Sequence, residues 1–321
     1  MIQNKSFPDA LPRRVQAPRA RAYTSLLVAQ LAMGSGGIFG RFALQGIGPL
    51  SVAAWRLGLA AVPLLLRLAI KRGPRPHLRQ ELHMLCAGLV LAAQFAAWVG
   101  SLQRLSVGAS TLLVCTAPLF NGLYEVFILK RHLPRSFWLA LCIALVGIGV
   151  MVFGSGDSGA PIDHAAGLGV GLALLSSMGM AAYFILIQNI AVVAEAQRSY
   201  DTLDIITRTY SWGALALFAA AAFDSTPLPP LSETCAWGGV LGMAVVTQGF
   251  GHTLQNAALR HIRASIVGFA TLIEPLISAI LAALLLNERL TLQAAGGGVV
   301  VLLALGWALK VTAEPLPTPT A

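Results

Sequence analysis

The sequence predicts an all-α, polytopic membrane protein, with ten transmembrane helices arranged as two five-helix repeats of inverted topology. Three observations carry that prediction. Of the 321 residues, 56% are hydrophobic and only 11% are charged, against roughly 45–50% and about 25% in soluble domains, so charge is too scarce to coat a water-facing surface. Apolar windows of about twenty residues, the length that crosses the hydrocarbon core as a helix, recur along almost the whole chain. Finally, the cations are sorted. With the N-terminus in the cytoplasm, eighteen of the 22 Lys and Arg fall in inner segments, only Arg41, Arg104 and Arg289 fall outside, and Arg56 is embedded. That bias places both termini on the cytoplasmic side of a cell membrane.

Residues 1–22 form a basic segment, and the apolar stretch behind it runs past the about 7–15 residues of a cleaved signal core, so it reads as span one, 23–43. Spans two to five follow at 50–70, 83–103, 107–129 and 136–154, completing a first repeat over 23–154. The breaker-rich "KRGPRPHLRQ" separates spans two and three, and "GSGDSGAPIDHAAG" contains the outer linker 155–165. Spans six to ten, 166–189, 206–223, 236–256, 264–286 and 291–310, make a second repeat over 166–310, followed by a tail at 311–321. Between spans seven and eight, "DSTPLPPLSE" carries three prolines and cannot be helix interior.

A shift of 157 residues lays Leu102, Pro118, Leu119 and Leu133 on Leu259, Pro275, Leu276 and Leu290, and a shift of 145 lays Met33-Gly34 on Met178-Gly179. Five spans per half turn the second half upside down. Arg131 then falls inside where its counterpart Glu288 falls outside, as the charge bias requires.

The net charge of +9 belongs to topology, since no aromatic-interleaved basic patch or nucleic-acid motif accompanies it. Cys86, Cys115, Cys142 and Cys235 lack metal-ligand spacing, and no metal or cofactor is expected. "MGSGGIFG" has Phe39 where a phosphate loop needs glycine. "GDSGAP" lies in a short outer loop without a protease domain. Ala32, Gly36 and Gly40, Gly167 and Gly171, and Gly238 and Gly242 have small-xxx-small spacing, which predicts close helix approach.

Ionisable groups inside an apolar run are costly unless they meet water or a partner. Glu274 lies near the middle of span nine, where inverted-repeat transporters place their sites. Pro275 beside it frees the carbonyl of Thr271, and Pro118 frees that of Val114, which predicts two broken helices facing a cavity. Glu274 then either lines that cavity, taking a cation or a proton, or pairs with a neighbour. Gln248, His252 and Gln255 form a stripe at i, i+4 and i+7 on span eight, beside Asn256, and must face protein or a cavity. Gln94 and Trp98 on span three, Asn121 on span four and Tyr183 on span six are further cavity candidates. Glu125 reads as an inner-mouth ion pair near Lys130 and Arg131. Arg56 reads as a structural charge that snorkels outward toward Glu288, in an outer cluster with Arg41.

The stretches "IEPLISAILAALLLNERLTLQAAGGGVVVLLALGWAL" and "MGSGGIFGRFALQGIGPLSVAAWRLGLAAVPLLL" resemble the drug/metabolite transporter superfamily, in particular its EamA-type members, over residues 22 to 310. Lys130-Arg131 departs from the acidic residue many relatives carry there. The resemblance implies a transporter of a small metabolite in the bilayer, working by alternating access, with export of amino acids or related compounds and proton exchange as the finer expectations. Two alternatives remain at this level: a membrane subunit without flux, and a membrane-embedded enzyme using Glu274 and His252 as acid and base.

Overall fold

The computed structural model describes residues 16–71, 76–105, 107–130, 132–154, 164–196, 200–223, 232–285 and 291–312. Glu288, Arg131 and Arg289 lie outside the described residues, as do 155–163 and 313–321. Span one begins earlier than expected, as α1 (Gln16–Gly34), and continues as α2 (Gly36–Ala43). The join is Ser35, whose hydroxyl donates to the carbonyl of Ala32 at 2.6 Å. Next come α3 (Pro49–Lys71), opened by a proline whose missing N–H costs nothing at a first helical position, and α4 (Leu78–Leu102). Span four is split into α5 (Val107–Val114) and α6 (Ala117–Phe127), and α7 (Arg135–Gly154) closes the first repeat.

The second repeat opens with α8 (His164–Ala196) and α9 (Thr202–Ala221), the latter capped by Asp201, which accepts the Asp204 N–H at 2.8 Å. Span eight is composite, running from α10 (Thr234–Gly242) through a π-helical stretch, Met243–His252, to α11 (Thr253–Ala258). Span nine comprises α12 (Ala264–Ala270), a 3₁₀ turn at Thr271–Ile273 and α13 (Glu274–Leu285), and α14 (Leu292–Thr312) is span ten. Among the described residues six stretches are each long and apolar enough to cross a membrane, including Pro49–Lys71 and Leu78–Leu102. Large apolar side chains such as Leu31, Leu66, Val146 and Leu303 are exposed on the bundle surface, as lipid contact requires.

The packing pairs each half with the other. Helix α3 lies against α9, α7 against α14, and α6 against α12, which sets spans two, five and four on their own counterparts seven, ten and nine. Helix α4 packs on α8, while α1 packs on the π stretch and α11. Those are spans three with six and one with eight, one contact made twice with the halves exchanged. Two inverted repeats about a pseudo-twofold axis give this pattern.

Close approach is concentrated on particular glycines. A Cβ on Gly239 would stand 2.5 Å from the Ala43 nitrogen and the Phe39 carbonyl oxygen, and one on Gly34 would stand 2.5 Å from Ile277. Gly167, Gly171 and Gly238 have nothing within 4 Å of such an atom, so the close approach expected there does not occur. Spacing marks a helix stripe, but only the neighbour decides whether anything presses on it.

The end of the bundle that carries the termini is laced by charge. Arg67 and Lys71 of α3 reach Asp201, at 2.5 and 2.6 Å, and Arg67 also reaches Asp204 at 2.8 Å. Arg208 of α9 meets Glu81 of α4 at 2.9 Å, and the Trp212 indole donates to the same carboxylate at 2.7 Å. Burial raises the Asp201 carboxyl, but hydrogen bonds from Lys71, the Asp204 amide and Arg67 outweigh it and hold the group below the usual carboxylate range.

Candidate functional site

A cavity of about 310 Å³ lies between the repeats and extends toward the end away from the termini, where Arg41, Leu44, Gln45 and Leu102 line it. Its size suits a small molecule. The two interrupted helices form part of its wall: Val114, Cys115 and Ala117 from span four, and Thr271, Glu274 and Pro275 from span nine. A hydroxyl bonds the backbone beside each break: the Thr116 hydroxyl donates to the Leu113 carbonyl and that of Thr271 to the Gly268 carbonyl, each at 2.7 Å. The Thr271 carbonyl that Pro275 leaves free accepts the Glu274 N–H instead.

Glu274 is the first residue of α13 and partly exposed to the cavity. Its Oε1 has no hydrogen-bond partner among the described residues. Arg56 also lines the cavity. It does not snorkel to the surface: it is 2% exposed, its Nε donates to Gln248 Oε1 at 3.0 Å, and its guanidinium lies 4.1 Å from the Phe95 ring centroid and 5.8 Å from that of Trp98. The physical reason is that two aromatic faces and an amide stabilise the cation where it stands, so that it need not reach the interface. Its two terminal nitrogens make no hydrogen bond within the described residues. The fork that best matches a carboxylate is therefore uncommitted.

Gln94, Trp98 and His252 line the same space. Gln94 donates to Ser176 at 3.1 Å and leaves its Oε1 unpartnered, while His252 stands edge-on to Phe95 with its Nδ1 unpartnered. The span-eight stripe is divided by the π-helical winding, whose i→i+5 bonding displaces side chains from the expected α-helical face. His252 meets the cavity, Gln248 sits behind Arg56, and Gln255 is not in the wall. Tyr183 is not in it either: it is fully buried, and its hydroxyl accepts the Asn256 amide at 2.7 Å. Asn121 and Pro118 lie outside the cavity, although Ala117 beside them lines it. Glu125 is buried and accepts the Ser265 N–H at 3.2 Å. It sits at the start of α12, where first-turn amides lack intrahelical partners; no ion pair with Lys130 forms among the described residues, and Arg131 lies outside them.

Phe95, Thr247 and Ser278 also line the cavity without a signal of their own that sets them apart in the sequence, and so does Cys115, one of the four cysteines without ligand spacing. Phe95 was findable in principle, being adjacent to Gln94 and one turn from Trp98. Among the described residues no three His, Cys, Asp or Glu side chains group as a metal site. What the wall offers is one embedded cation, one carboxylate and aromatic faces beside the cation.

The chain matches the EamA-like transporter family over residues 20–153 and again over 167–309. A similar curated protein is the uncharacterized transporter YdfC of Bacillus subtilis (strain 168), 24% identical over 236 residues, covering 73% of this chain. The chain spans 64% of that relative's own length. A solved crystal structure is similar over 92% of this chain and 100% of its own, with a TM-score of 0.75 at 15% identity. That likeness shows the fold alone.

Proposed function

The chain belongs to the EamA-like transporter family, and from that premise we propose that it moves a small zwitterionic metabolite, an amino acid or a close relative, across the membrane by alternating access. The observation that carries the reading is that Arg56 and Glu274 line one cavity, each with hydrogen-bonding capacity left open. A buried guanidinium with an open fork suits a carboxylate, and an unpartnered carboxylate suits an ammonium group. Phe95 and Trp98 supply apolar walls for the rest of the molecule.

Glu274 takes a second role in this proposal. A carboxylate that meets either an ammonium or a proton, but not both at once, exchanges one for the other, which couples substrate movement to protons. The sorting of cations supports termini in the cytoplasm of a cell with this chain in its inner membrane. The cavity then faces outward, and export is the direction the family resemblance favours. The two halves, 23–154 and 166–310, are the bodies that rock.

The test compares extracellular metabolites from cells expressing wild type, cells expressing Glu274→Gln at matched membrane abundance, and cells with empty vector. Wild type is expected to enrich the medium in one amino-acid-class compound, and the variant is not. Enrichment by both removes Glu274 from the mechanism. No difference from vector in either refutes export.

A further inference from the structure

Just below the cavity, toward the termini-bearing end, lies a second set of polar side chains that the proposed site does not use. Gln30 is one helical turn nearer that end than the cavity-lining Gly34, Asn121 one turn beyond Ala117, and Gln255 about one turn beyond His252. Ser265 stands in the first turn of α12, below Thr271. All four are buried, each no more than 1% exposed. Both polar atoms of the Gln30, Asn121 and Gln255 amides lack a hydrogen-bond partner among the described residues, as does the Ser265 hydroxyl.

That is not how membrane helices use amides for adhesion. An amide that holds two helices together finds a donor or acceptor on the facing helix, whereas these primary amides find none on either atom. A polar group left unsatisfied in a membrane interior is destabilising, so its retention points to a state in which it is satisfied. The positions indicate which state. The four residues lie on α1, α6, α11 and α12, and the contacts of α1 with α11 and of α6 with α12 join one repeat to the other. Those are the contacts that relative rocking of the repeats opens.

On the transporter reading above, we propose that Gln30, Asn121, Gln255 and Ser265 line the closed half of the substrate path, buried in this conformation and wetted when the opposite face opens. Their amides then offer hydrogen bonds to a polar substrate leaving the cavity. The seal across the repeats is Glu125, holding the Ser265 N–H at 3.2 Å, with Gly268 allowing Asn121 to lie close: a Cβ there would stand 2.6 Å from the Asn121 amide nitrogen. Gln188 of α8 braces the same region by donating to the Leu259 and Ile262 carbonyls at 3.1 and 2.8 Å.

The test is labelling by a charged, membrane-impermeant thiol reagent in right-side-out and inside-out vesicles, with the four native cysteines replaced by serine. Gln30→Cys, Asn121→Cys and Gln255→Cys should react from the termini-bearing face at least about tenfold faster than Leu31→Cys, because the reagent attacks a thiolate and a lipid-facing thiol stays protonated. Leu31 neighbours Gln30 but is exposed on the bundle surface. In the same cysteine-free protein, Ser278→Cys, at a half-buried position on the cavity wall, reacts from the opposite face and reports the open half independently. If all three new cysteines react no faster than Leu31→Cys from either face while Ser278→Cys reacts, the closed path does not exist and the amides are packing. Silence of Ser278→Cys from both faces overturns the cavity reading itself.

Discussion

Replacing Arg56 by lysine keeps the charge and removes the fork, which isolates the geometry of recognition. In the structure the guanidinium is held by Gln248 through Nε at 3.0 Å and by the Phe95 face at 4.1 Å, leaving its two terminal nitrogens for a ligand. A lysine in that place offers a point charge without the second parallel bond. Hydrogen bonds to charged groups contribute about 1.5–3 kcal/mol each, and about 1.4 kcal/mol is tenfold in affinity. Losing one of two therefore weakens substrate binding roughly 10- to 100-fold. The assay is binding or counterflow with purified protein in liposomes, comparing each amino acid with its carboxamide. Wild type should discriminate strongly between the two, Arg56→Lys less, and Arg56→Gln least. If Arg56→Gln binds the acid and the carboxamide in the wild-type ratio, Arg56 does not read the carboxylate, and the zwitterion argument fails.

Other expectations follow from the same geometry. Gln248→Leu leaves Arg56 without its Nε partner, so substrate affinity should fall, but by less than in Arg56→Gln, measured in the same liposomes. Gly239→Ala forces α10 off the α2 backbone and should lower thermal stability in detergent by about 1–3 kcal/mol, the usual cost of overpacking. Gly238→Ala has open space around it and should match wild type; equal melting of both variants would discount the close approach. The depressed carboxyl of Asp201 stabilises the fold above the ordinary aspartate value of about 3.9, and that contribution is lost as pH falls through the lower folded value. Asp201→Asn should therefore be less stable than wild type at neutral pH and converge on it in strong acid, and a constant gap across the titration would contradict the ion-pair account.

How much of the site was legible depends on how local each signal was. Glu274, His252, Gln94 and Trp98 stand out because a polar or amphipathic group inside an apolar run is visible in the sequence, and all four reach the cavity wall. Gln255, Asn121 and Tyr183 carried the same local signal and do not reach it. The difference between the two groups lies in which way each helix is turned. For span eight that turn is set by ten residues of π-helix, which helical periodicity does not foretell.

The apolar spans, the likeness of the two halves and the proline breaks in spans four and nine are all written along the chain. Each of these rests on composition or on short spacing along the chain, where the cost of placing charge or an unsatisfied backbone group in lipid is decided residue by residue. Packing in three dimensions is what keeps Arg56 buried among Phe95, Trp98 and Gln248, presses on Gly239 but not on Gly238, and sets Glu125 at the start of a helix of the other repeat. Those outcomes depend on partners more than a hundred residues away or on the rotation of one helix against another, and the energy of a contact exists only once both sides of it are in place.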